Sequence, residues 1–280
     1  MLYIFGGHGY VGTGLRRCLD RQNVDFFSPT RVELDLSDLK SIYKWLKVTG
    51  ASPGQGDSVI YLVSNPKRSD WTDNDIRRPS QHLQNLFSAF HDCHFIYSGS
   101  VDIYGTPQIL PITESCPVSL ESPYARSKYK AEETLSRHLP PSKYLVLRLP
   151  GIYGGLDPSS SVLNKFIVSL INLEPVKIRN VDVLGLQRDW IYRGDLAQAI
   201  VKMSREKACG VFNFVSGRSK PIDWWIRTLA TESNLALNYE IEGSNKDDQR
   251  FDLIFDSDKL RTEYSWLEFS SLSINHFYEP

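Results

Sequence analysis

The sequence predicts an α/β protein built on a doubly wound parallel sheet, followed by a smaller C-terminal lobe. Three observations carry this expectation. Short apolar runs at residues 2–5, 24–27, 58–63 and 94–97 are separated by amphipathic stretches, and strands that alternate with helices at this pitch pair in parallel. The first run ends in a glycine-rich turn, Gly6-Gly-His-Gly-Tyr-Val-Gly12, which suits a tight passage from strand into helix. With 280 residues, 41% apolar and 12% aromatic, the chain is long enough to bury one large core or two unequal ones.

Taken in order, residues 2–5 make the first strand and 13–21 an amphipathic helix. Gly6, Gly9 and Gly12 stand at G-x-x-G-x-x-G spacing. Side chains at the first two would obstruct a pyrophosphate, and the third lets helix and strand pack closely. Amides at the start of that helix, around Tyr10 and Val11, then face the phosphates, so the turn predicts a dinucleotide site. The strand at 24–27 should end beside the adenosine ribose, where an acidic residue would bind the 2′-hydroxyl and select NAD. It runs instead into Ser28-Pro-Thr-Arg31. Arg31 with the hydroxyls of Ser28 and Thr30 suits a 2′-phosphate, which favours NADP over NAD. Asp35, with Leu36 beside it, is expected to reach the adenine, and Ser37 reads as the cap of a helix through Trp45 and Leu46.

Residues 50–56 form a Gly/Pro/Ser-rich connection, 58–63 a buried strand and 64–74 a polar loop. A helix is expected from about Pro79 to His91, before the strand at 94–97 that ends in Ser98-Gly-Ser-Val-Asp-Ile-Tyr-Gly105. Ligands of such sheets gather beyond the carboxyl ends of the strands, where Ser100 is placed. Next comes Ser122-Pro-Tyr-Ala-Arg-Ser-Lys-Tyr-Lys-Ala-Glu-Glu133. Pro123 starts a helix there, and Tyr124 and Lys128 fall four apart on one face. A phenol with an ordinary pKa of roughly 10 becomes a better acid when an ammonium lies within about 4–6 Å. Such a tyrosine passes a proton to or from a sugar or steroid hydroxyl, and Ser100 donating to the same oxygen would steady the alkoxide. The alternative for Ser98 and Ser100 is that they satisfy backbone groups in a turn.

The formal charge of −1, with both signs interspersed, lacks the basic footprint of a nucleic-acid binder. No run of 18 apolar residues and no charged leader is read, so a cytoplasmic protein with no membrane partner is expected. Cys18, Cys93, Cys116 and Cys209 are scattered, which suggests neither a metal site nor disulfides. The paired Trp224-Trp225 read as packing.

With the glycine turn, the Ser100 strand end and Tyr124-x-x-x-Lys128 in this order, the chain resembles the extended short-chain dehydrogenase/reductases, in particular the nucleotide-sugar epimerase, dehydratase and reductase group. Arg148-Leu-Pro-Gly-Ile-Tyr-Gly154, Gln187-Arg-Asp-Trp-Ile-Tyr192 with Asp195, Gly210-Val-Phe-Asn213 and Phe255-Asp-Ser-Asp-Lys-Leu260 extend the likeness. The resemblance implies a Rossmann-type domain over residues 1–150, with segments around 181–215 returning to it, and a substrate-binding lobe over most of 151–280. It implies catalytic roles for Ser100, Tyr124 and Lys128, with the latter two also on the cofactor, and pyrophosphate contact by Gly6, Gly9 and Gly12. Asn164, Arg188 and Arg250 are implied on the substrate side, the arginines near a diphosphate. A homodimer through the Tyr124 helix is the family habit.

Departures refine the reading. Val101 and Asp102 stand where dehydratases carry Asp-Glu, which argues against a 4,6-dehydratase and makes Asp102 a further catalytic candidate beside the sugar. The stretch 30–35 resembles the NADP-selecting stretch of GDP-fucose synthases, yet Asp102 and a serine near Ser161 match their epimerising Cys and His. Pro79 replaces an asparagine usual in the helix behind the cofactor. The first expectation is therefore NADPH-dependent reduction of a 4-keto nucleotide-diphosphate sugar in deoxysugar synthesis. The alternatives are a 4-epimerase with retained NAD and, more remotely, a non-catalytic nucleotide sensor.

Overall fold

The structure is a computed structural model and describes residues 1–64, 70–155, 162–178, 184–241 and 251–278. The chain forms two compact units, each assembled from separate segments. The first comprises Met1–Gly105, Val118–Arg148 and Ala197–Phe212, and the second Thr106–Pro117, Leu149–Leu196 and Asn213–Pro280.

The first unit is organised by a six-stranded sheet. Its strands are β1 (Leu2–Phe5), β2 (Phe26–Phe27), β3 (Ser58–Tyr61), β4 (His94–Ser100), β5 (Tyr144–Leu149) and the later strand Gly210–Asn213. They lie in the order Gly210–Asn213, β5, β4, β3, β1, β2. β1 pairs in parallel with both β2 and β3, and β3 with β4, so that Tyr61 stands opposite Tyr97. This is a doubly wound, Rossmann-type sheet. Its winding reverses at β1 and β3, and the crevice for a ligand lies beyond their carboxyl ends. Every residue of β1, β3, β4 and β5 is buried, as expected where helices cover both faces of a parallel sheet.

Four helices frame the site: α1 (Tyr10–Arg21), α2 (Leu39–Thr49), α3 (Asp73–Ala89) and α4 (Pro123–His138). Leu83, Leu86 and Phe90 pack with Tyr3, Phe5, Tyr61 and Phe95 of the strands. Local chemistry moves three boundaries from those expected. β2 keeps only two residues, because Val24 N–H is still bound to Leu19 O at the end of α1. Asp38, not Ser37, caps α2, its carboxylate accepting Lys40 N–H at 3.0 Å. α3 begins six residues before Pro79, where Thr72 and Asp75 form a reciprocal capping box and leave Pro79 inside the helix. The proline suggested a start, and the stronger box upstream overrides it.

The second unit has its own core of Tyr153, Ile167, Trp190, Trp225, Ile226 and Phe277. Parallel pairs join Gly151–Tyr153 to Trp190–Tyr192 and Val176–Ile178 to Tyr239–Ile241. Trp225 is buried in this core edge-on to Trp190, whereas Trp224 is 41% exposed. Among the described residues no helix is long and apolar enough to cross a membrane.

Candidate active site

At the end of β1 the chain turns through Gly6, whose φ is +88° and where a Cβ would lie 2.7 Å from Val63 N. A Cβ at Gly12 would lie 2.3 Å from Gly6 O, so neither position admits a side chain. Gly9 caps α1 without a side-chain bond, so no capping side chain competes with an anion at the start of that helix. Over this turn opens a cleft of about 600 Å³, whose walls include Gly6, Gly9, Arg31, Asp35, Leu36 and His82. A glycine cradle at a helix N-terminus within a cleft of this size fits a dinucleotide.

The far end of the cleft differs in detail from the expectation. Thr30 gives both its N–H and its hydroxyl to Glu33 Oε2, at 2.7 and 2.8 Å. Those bonds, the backbone one first, hold the Glu33 carboxyl below the usual carboxylate range. Ser28 Oγ is buried without a hydrogen-bond partner, at the place a Gly7 Cβ would occupy. Of the three groups expected around a 2′-phosphate, Arg31 alone offers charge to the cleft, and Arg78 of α3 adds a second guanidinium that pairs with Asp75 at 3.1 Å. Asp35 Oδ1 accepts Ser37 N–H at 2.8 Å.

The sequence reading missed His82. Its Nδ1 meets the Tyr61 hydroxyl at 2.9 Å and its Nε2 the Ser37 hydroxyl at 3.0 Å. Burial, aided by the Arg78 charge, lowers its pKa to about 4, so the imidazole is neutral at pH 7. Only its place one turn beyond Pro79 would have signalled it.

At the end of β4, Ser122 Oγ caps α4 by accepting Ala125 N–H at 3.0 Å. Tyr124 and Lys128 consequently share a face, the ammonium 5.8 Å from the Tyr124 ring centroid and 5.3 Å from that of Tyr97. Lys128 is 5% exposed, and its Nζ donates to Ser98 O at 2.8 Å. Tyr97 closes the contact by giving its hydroxyl to Lys128 O at 3.2 Å. Ser98 has a backbone role, donating to Tyr61 O at 3.3 Å. Ser100 Oγ accepts Asp102 N–H at 3.2 Å and caps the short 3-10 turn Val101–Tyr104, an acceptor role that leaves the hydroxyl its donor capacity. The turn explanation thus covers Ser100 in part, while Ser98 satisfies a backbone carbonyl of β3 instead. Trp71, which no spacing marked, stands perpendicular to Tyr124 with ring centroids 6.2 Å apart.

In the second unit Asn164 is fully buried. Its Oδ1 accepts Gly154 N–H at 3.2 Å, and its Nδ2 donates to Gly155 O at 3.1 Å, so this amide braces a glycine turn. Arg188 Nη1 donates to Gln187 O and Phe251 O at 2.7 and 2.8 Å. Arg250 and Ser161 lie outside the described residues. Among the described residues no group of three or more His, Cys, Asp or Glu side chains is placed to hold a metal ion.

Comparison with known proteins gives these residues a context. Residues 2–214 match the sequence profile of the NAD dependent epimerase/dehydratase family. A relative by sequence is the UDP-glucose 4-epimerase of Haemophilus influenzae, 24% identical over 172 residues, 53% of this chain and 51% of that one. The chain spans about half the length of such relatives. Among solved structures, the Thermus thermophilus UDP-glucose 4-epimerase in complex with NAD matches with a TM-score of 0.81 at 18% identity, covering 99% of both chains. The Thermotoga maritima UDP-glucose 4-epimerase with UDP-glucose matches with a TM-score of 0.73 at 20% identity, over 93% of this chain and 91% of that one. At these identities the structural likenesses establish the fold.

Proposed function

Because the chain belongs to the NAD dependent epimerase/dehydratase family, we propose that it carries out reversible hydride transfer at carbon 4 of a nucleotide-diphosphate sugar. The observation that carries this reading is the cluster at the end of β4, where a buried ammonium touches the Ser98 carbonyl and lies 5.8 Å from the Tyr124 ring. When bound, the nicotinamide supplies or accepts the hydride. Tyr124 takes the proton from the sugar hydroxyl or returns it, Lys128 favours the phenolate by its charge, and Ser100 donates to the same oxygen. Gly6, Gly9 and Gly12, with the amides of Tyr10 and Val11, hold the pyrophosphate. Asp35 and Leu36 border the adenine, and Asp102 faces the hexose.

The first finer reading is 4-epimerisation with a retained NAD. The relatives named UDP-glucose 4-epimerases support it, and so does the Glu33 carboxylate tied to Thr30, whose charge opposes a 2′-phosphate. A second reading, NADPH-dependent reduction of a 4-keto nucleotide sugar, is favoured by Arg31 in the cleft wall and by the absence of an acid between Phe27 and Arg31. The test is to assay the purified chain for bound cofactor and for conversion of UDP-glucose to UDP-galactose. Co-purifying NAD with interconversion and no net NADH is the expected result. Saturable NADPH consumption with a 4-keto sugar nucleotide would establish the second reading, and neither activity would overturn both. By the family's habit the enzyme would act as a homodimer, which sedimentation would test.

A further inference from the structure

Behind the strand end that carries both serines lies a buried charge with no part in the scheme above. Glu132 follows Lys128 by one turn of α4 and is 6% exposed. Arg148 of β5 clasps one of its oxygens, Nε and Nη2 donating to Oε2 at 3.1 and 2.9 Å. Nη1 of the same guanidinium donates to the Tyr104 hydroxyl at 2.8 Å. The other oxygen, Oε1, is buried with no hydrogen-bond partner. It rests against Gly99, where a Cβ would come within 2.7 Å of it. Gly99 separates Ser98, whose carbonyl receives Lys128, from Ser100, and Tyr104 ends the turn that Ser100 caps. One carboxylate therefore touches the strand between the two serines and, through Arg148, the turn after them.

Fold stability is a poor reason for this arrangement. An unpaired buried acceptor is costly, and a buried ion pair is often no better than an apolar filling. Burial raises the Glu132 carboxyl's pKa, against the pull of Arg148 and Lys128. The coupling is mutual, so Glu132 in turn favours the charged form of Lys128, which burial disfavours.

We propose that Glu132 is a positioning residue of the active site: clasped by Arg148, it fixes the Ser98–Ser100 strand end against the helix bearing Tyr124 and Lys128, and it keeps Lys128 an ammonium. It acts through those side chains and touches no substrate. The proposal rests on the assignment of Tyr124 and Lys128 above. Lys128 also faces Tyr124 on its own helix and Tyr97 on β4, with the buried Tyr61 of β3 beyond, while Arg148 is bound to Glu132 and Tyr104 to Arg148.

The test is the full chain carrying the isosteric Glu132→Gln, which removes the carboxylate's charge and leaves Arg148 in place. Lys128 is titrated by nuclear magnetic resonance, its signal assigned by its loss in Lys128→Met, so no substrate is needed. The titration is expected to move to lower pH. With UDP-glucose, kcat should fall about tenfold or more while the Kd for NADH stays within about twofold. An unmoved Lys128 titration overturns the proposal whatever kcat does, because a mere core filler changes the melting temperature without reaching that amine. If that variant does not fold, Glu132→Gln with Arg148→Met, which leaves no unpaired ion in the core, is read by kcat, and an undiminished kcat overturns the proposal. Failure of the underlying assignment looks different: Tyr124→Phe would turn over as fast as the parent chain while the Lys128 titration still shifted.

Discussion

Removing one oxygen at Tyr124 is the most direct probe of the site. Tyr124→Phe keeps the ring against Trp71 and Lys128 and deletes the exchangeable proton. We expect kcat to fall roughly 10²–10⁴-fold with the melting temperature unchanged; turnover within a few-fold of the parent would remove Tyr124 from proton transfer. The shared helix face of Tyr124 and Lys128 and the place of Ser100 at a strand end were legible in the sequence because that geometry is local. A capped helix puts residues four apart on one face, and a strand end is marked by its own serines and glycine. Trp71 and His82 were not legible, since each gains its meaning from a partner on another element, Tyr124 of α4 and Tyr61 of β3. Glu132 could be read as a good helix former, but its contacts with Arg148 and Gly99 needed the sheet to be assembled.

Among the elements, the loop after β2 is the one to which the proposed cofactor preference belongs. Thr30 and Glu33 close it with two short bonds, and the carboxylate they orient stands two residues from Arg31. Glu33→Gln is expected to shift preference towards NADPH by severalfold; unchanged relative Kd values for NADH and NADPH would show that this carboxylate does not sense the ribose. Helix α3 shows a different conflict. Pro79 is buried inside it, and an interior proline costs about 3 kcal/mol through its missing N–H and its ring. Pro79→Ala loses some packing and is expected to stabilise by about 1 kcal/mol net, read as a higher urea midpoint; a lower midpoint would mean that the ring's packing outweighs the backbone. Here the sequence misled, because Pro79 signals a helix start and the Thr72–Asp75 box that nucleates the helix is short and polar. The first strand and glycine turn were read correctly, and α1 to within three residues of its start, because apolar run, glycine spacing and helical period agree.

Across the whole molecule, acid response follows from two buried histidines of the first unit. Burial lowers His82 and His94 to about 4 each, whereas an unfolded histidine titrates near 6.5. Above about 6.5 neither state holds the proton; between there and 4 the unfolded chain binds protons that the folded one refuses, so stability falls as pH falls. Each histidine is expected to cost at most roughly 3 kcal/mol by about pH 4. Urea midpoints taken from about pH 7 down to 5 should decline, and less steeply in His82→Gln; a flat series would contradict the assignment.

The division into interleaved segments has a consequence for biosynthesis. β5 takes as its outer neighbour the strand Gly210–Asn213, and most of the chain between them, as far as Leu196, belongs to the other unit. A ribosome releasing the chain from its amino end therefore exposes β5, wholly buried in the finished protein, as a bare apolar ladder until the late strand has cleared the exit tunnel. During that interval a chaperone or a second nascent copy has the same claim on the edge as the strand still to come.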